Sequence, residues 1–165
     1  MTWTEAEAFA RGWAQARASL RASVTGAAVI EARAALLAEA TRLARVEGNA
    51  LRRMVERHLL RDGDGAALLR WAASWRADSE SLVGAGLAPL ARVVAVTLGR
   101  SADAGAAAAV RAAQAAAAET DAEIHRLARE SASPTDAADA LLLLCGESDA
   151  AAARLCSRVE EIISG

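Results

Sequence analysis

Between about residues 106 and 131 the chain repeats one pattern: Val110, Ala117 and Ile124 stand seven apart, with Ala113, Thr120 and Leu127 interleaved. That spacing returns each side chain to a single face of an α-helix. Small residues occur at both seam positions, so a facing helix can come close, as in an alanine coil. The tract is biased in composition, yet its periodicity marks helix rather than disorder. Nowhere does the sequence show the strict alternation of a strand, and glycine, proline and capping residues divide it into helical stretches. The expectation is all-α: a single domain over residues 1–165, a bundle of five to six helices with antiparallel neighbours and an alanine-rich, close-packed seam.

Thr4-Glu5-Ala6-Glu7 reads as a capping box opening a first helix over about 5–23, with Phe9, Trp13, Ala16 and Leu20 on one face. Gly26 marks a turn or a kink. A second helix, about 27–61, ends at Asp62-Gly63-Asp64-Gly65. A third begins near Gly65, places Leu68, Trp71, Trp75 and Leu82 on one face, and is interrupted by Gly84, Gly86 and Pro89. Pro89 suits the first turn of a further piece through about Leu98, whose Leu90, Val93, Val94, Val96 and Leu98 cover nearly all sides and argue for central burial. Gly99 to Gly105 reads as a linker before the alanine-rich helix. Ser133-Pro134-Thr135-Asp136 stops that helix and caps the next, through Leu144. Gly146 then precedes a final amphipathic helix over about 148–163.

Alanine fills 47 of the 165 positions, so the 54% hydrophobic content overstates the core, and large-side-chain packing must come from Leu, Val, Ile and four tryptophans. All nineteen basic residues are arginine. Without lysine there is no phosphate-binding GxxxxGK[ST] loop and no Schiff-base chemistry. GxSxG and HExxH are also missing, and Gly84-Ala85-Gly86 has no preceding strand to make a dinucleotide loop. Residues 1–118 carry fifteen Arg against eleven acids (+4), whereas residues 119–165 carry four against ten (−6). Such a split favours self-association or an anionic partner. Cys145 and Cys156 lack metal-ligand spacing and read as small core hydrophobes in a reducing compartment. The acidic start has no signal-peptide pattern, and the apolar run Val83 to Leu98 is too short to span a bilayer. The expected location is cytoplasmic, with no membrane partner.

Projected at 100° per residue, the second helix puts Leu36, Leu37, Ala40, Leu43, Ala44, Leu51, Met54 and Val55 on one face. Arg33, Glu47 and His58 fall on that apolar side. Desolvation there would raise a Glu pKa and lower a His pKa toward acid–base usefulness. The structural alternative is that Gly48 kinks the helix and turns Glu47 outward, while His58 bonds a terminal carbonyl. His58 has Asp62 four residues later and His125 has Asp121 four earlier, so two neighbouring helices could offer a His₂Asp₂ metal set. Ordinary i, i+4 ion pairs explain the same letters. No other cofactor is expected. The opposite face, with Arg45, Arg52, Arg53 and Arg57, suits phosphates or carboxylates through the guanidinium fork. Lysines, interleaved aromatics and a helix-turn-helix frame are missing, which argues against nucleic acid and for a solvated face toward the acidic C-terminal helices. Trp71 and Trp75 read as core, or as an interface anchor at an exposed edge.

From Leu51 to Glu161 the order of elements resembles the helical C-terminal region of tailed-phage portal proteins, through LRRMVERHLL, then WAASWRADSESLVGAGLAPLARVVAVTLG, then SPTDAADALLLL. The resemblance rests on helix lengths and an LAPL turn, covers about two-thirds of the chain, and includes no portal-like β-rich body. It implies a non-enzymatic assembly role. Function is therefore expected to be that of a helical interaction or assembly module that self-associates or binds a protein. The alternatives are an internal metal or small-ligand site around His58 and His125, and nucleic-acid binding through the Arg face.

Overall fold

A computed structural model describes residues 2–61, 65–131 and 133–165, with the side chains of 21–25, 58–61, 65–68 and 134 outside the described set. Among the described residues there are five helices and no strand: α1 (Trp3–Arg61), α2 (Gly65–Thr97), α3 (Ala102–Glu130), α4 (Pro134–Cys145) and α5 (Ser148–Ser164). The all-α expectation holds, and several boundaries move.

The capping box at the start of α1 lies two residues earlier than the sequence suggests. The Thr2 hydroxyl accepts from the Glu5 amide (3.3 Å), and the Glu5 carboxylate accepts from the Thr2 amide (2.7 Å). Gly26 neither turns nor ends the helix, so the expected pair 5–23 and 27–61 is one helix of 59 residues. An isolated glycine costs a helix only about 1 kcal/mol. The Asp62-Gly63-Asp64 part of the expected turn lies outside the described residues. Pro89 likewise sits inside α2 rather than opening a new helix. Both Pro89 and Ala85, whose carbonyl loses its amide partner, are on the exposed side, where water can satisfy that oxygen. Val83, Leu87, Ala91 and Val94 are buried before and after the proline, and their packing holds the helix together.

Helix α2 ends in a Schellman motif, with Gly99 at φ +76°. The Arg100 amide donates to the Ala95 carbonyl at 2.8 Å and the Gly99 amide to Val96 at 3.0 Å. Ser101 caps α3, accepting from the Ala104 amide at 3.1 Å, so the expected linker through Gly105 shrinks and Gly105 joins the helix. Its place there is sterically fixed, because a Cβ at Gly105 would lie 2.3 Å from the Ala91 carbonyl oxygen. Ser133 caps α4 with Pro134 in its first turn, as the sequence indicates.

The packing forms two stacked cores. The first joins Leu36, Ala40 and Leu43 of α1, Leu87 and Val94 of α2, Ala108 and Ala112 of α3, and Leu155 and Val159 of α5. The second joins Leu51 and Val55 of α1, Ala72 of α2, Ile124 and Leu127 of α3, and Ala138 and Leu141 of α4. Reading the numbers through the two cores gives the direction of each helix. Helices α1 and α3 run from the first core to the second, and α2 runs back. Helices α4 and α5 also run back, end to end, as one interrupted fourth column. The result is an up-down-up-down bundle with antiparallel neighbours.

The alanine seam lies between α2 and α3, with Gly105, Ala108, Ala109, Ala112, Ala113 and Ala117 buried. Val110, expected in that seam, is 45% exposed instead. The central burial expected for the end of α2 is one-sided too: Val94 is fully buried, while Val93 and Val96 face outward. By length and composition alone the stretch Leu69–Thr97 could cross a bilayer. It carries Arg76, Asp78 and Glu80 and packs on α1 and α3, with 33% of its apolar window buried.

Candidate functional site

Two places depart from a filled, self-contained bundle. The first is a cavity of about 270 Å³ where the two cores meet. On every long helix its lining falls between the residues of the first core and those of the second: Ala44 to Leu51 of α1, Trp75 to Val83 of α2, and Ala113 to Glu123 of α3. Its remaining wall is the α4–α5 junction from Leu144 through Ser148 to Leu155. An apolar layer is interrupted here by Glu47 and Ser79, and the fourth column is broken at the same level.

Glu47 is the one sequence-flagged ligand candidate that lines this cavity. Helix α1 continues through Gly48, so the expected outward rotation does not occur. Gly48 instead admits the end of α4, since a Cβ there would stand 3.0 Å from the Cys145 carbonyl oxygen. Burial pushes the Glu47 carboxyl above the ordinary glutamate range; the Ser79 hydroxyl beside it acts in the opposite direction and Asp78 adds to the rise. Among the described residues no basic side chain lies within ion-pair distance of Glu47.

The folded state holds the Glu47 proton more tightly than the unfolded state, so stability falls as pH rises from the ordinary glutamate value through the folded one. Glu47→Gln should therefore raise the melting temperature at pH 7–8, with the gain shrinking as pH falls toward about 4.5 and lost below it, where Glu47 is protonated in both states. Thermal melts of the two proteins across pH 3.5–8 check the sign.

Trp75 is 8% exposed and lines the cavity, while Trp71 packs against the second core. Trp75 is a core residue, and Trp71 is half-buried at the edge of that core. Both indole N–H groups are buried without an acceptor. Ser79, four residues after Trp75, escaped the sequence reading, although i, i+4 spacing on the tryptophan face was a signal for it.

Of the proposed metal set, only the Asp121–His125 half falls within the described residues, since Asp62 lies outside them. The side chain of His58 lies outside the described residues. Asp121 meets His125 at 3.5 Å, but its other oxygen accepts from Arg76 (3.1 Å), which also donates to Glu80. That makes a structural ion-pair network between α2 and α3. Among the described residues no group of three or more His, Cys, Asp or Glu is placed to hold a metal.

The arginine face is partly committed. Arg45 reaches Asp149 at 3.6 Å, and Arg33, half exposed, donates to Glu160, so the expected link from α1 to the acidic C-terminal helix is present. Arg52, Arg53 and Arg57 are exposed. The thiols are free, and burial raises both, Cys156 to about 11 with Glu160 adding to the effect. Native Cys156 should thus be alkylated roughly 100-fold more slowly than in urea at pH 8. Equal rates, followed by mass spectrometry, would contradict its burial.

The second departure is the N-terminal half of α1. Among the described side chains of the helix, the first buried one is Ala32. Before it, Trp3, Phe9, Trp13, Leu20 and Ile30 are 81%, 71%, 61%, 66% and 70% exposed. Added Cβ atoms at Gly12 and Gly26 would meet nothing within 4 Å. This arm of the helix projects from the bundle with an aromatic stripe and no neighbour among the described residues. Comparison of the chain with protein-family models, curated proteins and solved structures finds no match.

Proposed function

We propose that the protein is a non-enzymatic assembly module that self-associates through the N-terminal arm of α1, and the observation that carries this reading is the unpartnered stripe on that arm. Its positions are Ala6, Phe9, Trp13, Ala16, Leu20, Ser23, Ala27 and Ile30, alternating steps of three and four. That is a coiled-coil seam of more than three heptads. It continues past the start of the bundle at Leu37, which is 44% exposed and points away from the buried face.

A second copy is the partner that fits. Paired antiparallel, with Trp13 beside Ala16 and Phe9 beside Leu20, each large side chain meets a small or flexible one. The acidic start, Glu5 and Glu7, then runs alongside positions 22–24 of the second copy, next to Arg21 in sequence, whereas a parallel pair would align like charges. Two copies of three large apolar side chains, Phe9, Trp13 and Leu20, with the alanines between them, would remove roughly 900–1,200 Å² from water, the lower end for a specific interface. An assembly role is also what the phage-portal resemblance implies.

Light scattering across a range of concentrations tests the reading. A mass rising from 17.0 kDa toward twice that value supports it. A monomer at every concentration rejects it.

A further inference from the structure

The cavity between the two cores answers a different question from the arm and does not depend on it. Its walls are mainly apolar, built from Leu51, Val83, Ala117 and Leu155, with Trp75 as the aromatic surface. Set into them is the half-buried carboxylate of Glu47, which has no basic partner among the described residues. A carboxylate taken out of water without a counter-charge is costly, and the groups that relieve it are a proton or a cation.

Among the described residues no ion pair compensates Glu47, and Arg154 is the one basic residue of the lining. Glu119 and Glu123 also line the cavity, but they are engaged by Arg158 and Arg126 from outside it. Glu147, which is exposed, lines the cavity as well. The field in the cavity is therefore negative. Its volume is near the lower end for a small-molecule site, enough for a bicyclic ring with a short substituent.

We infer that this cavity binds a hydrophobic organic amine, with the ring against Trp75 and the apolar walls and the ammonium group on the Glu47 carboxylate. The ammonium supplies the missing counter-charge, and its proximity to the indole face adds a cation–π contribution. The Ser79 hydroxyl, which also lines the cavity, lies beside that carboxylate. The class follows from the walls and the charge together: a neutral ring system leaves Glu47 uncompensated, and a small inorganic cation leaves the apolar volume unfilled.

The test compares 1-naphthylmethylamine with 1-naphthylmethanol, two probes of nearly equal shape, by calorimetric titration of the full chain at pH 7. The amine should bind at least ten-fold more tightly than the alcohol. In Glu47→Gln the amine should lose about that factor while the alcohol is unchanged, with helical circular dichroism and melting showing that the variant is folded. Glu147→Gln should keep the preference. Ala151→Leu, which fills the cavity from α5, should weaken both probes. Equal affinities for amine and alcohol, an unchanged preference in Glu47→Gln, its loss in Glu147→Gln alone, or no binding of either probe up to millimolar concentration would each overturn the assignment. Self-association measured on the same samples reports separately on the arm, so the two readings fail independently.

Discussion

Gly105→Ala should lower the melting temperature by about 6–12 °C, although it puts the best helix former into the middle of a helix. In an exposed helix interior that exchange gains about 1 kcal/mol. Here the new Cβ would stand 2.3 Å from the Ala91 oxygen, 2.7 Å from its carbonyl carbon and 2.8 Å from the Arg92 Cα. All three are backbone atoms of α2, so no side-chain rotation relieves the clash. The two helices must separate along the seam that buries Ala108, Ala109 and Ala112, at a net cost of about 3 kcal/mol. Gly26→Ala is the control, because nothing lies within 4 Å of it and only the helix-propensity gain remains. Opposite signs for the two substitutions in thermal melts are the expected result. A neutral Gly105→Ala would mean that α2 and α3 are further apart than described.

The second large effect concerns the arm. Trp13→Glu should weaken self-association about 1,000-fold and leave the melting of the bundle unchanged. A central aromatic anchor is worth at least about 2 kcal/mol on truncation. In a two-fold interface each substitution enters twice, which gives about 4 kcal/mol, or three orders of magnitude. Trp13 touches nothing in the bundle core, so the folded monomer keeps its helices and its two cores. Sedimentation equilibrium of wild type and variant reads the change directly. A variant that associates as strongly as wild type would show that another surface carries the assembly.

Much of the bundle is legible in the sequence because its signals are local. Ser133-Pro134 and Asp136 announce the start of α4, and the period of Ile124 and Leu127 gives the inward face of α3. The two departures in helix length have one cause. Gly26 and Pro89 carry intrinsic penalties that a linear reading treats as stops, whereas a helix is broken only when nothing offsets the penalty. Val83 to Val94 offset it by burial around Pro89, and Gly26 costs too little to end a helix.

Glu47 was legible as an anomaly because its helical face is otherwise apolar. The cavity around it was not, because it arises from four columns losing their apolar layer at one level. That coincidence exists only after the helices are stacked. The Asp121–His125 pair was visible too, but its contact to Arg76, forty-five residues earlier, was not, because no local pattern links them. The exposure of Phe9 and Trp13 follows from a helix longer than its bundle, and an apolar stripe reads the same whether it is covered or bare.

That excess length also sets a distance. In the antiparallel pairing of Trp13 with Ala16, the residues at which the two copies enter their own bundles, near position 30, lie about 31 residues apart along the paired helices. At 1.5 Å per residue that is roughly 45 Å. The arm would then act as a ruler as well as a clasp, holding two identical bodies at a fixed spacing whose value is written in the number of residues between Trp13 and the first turn of the core.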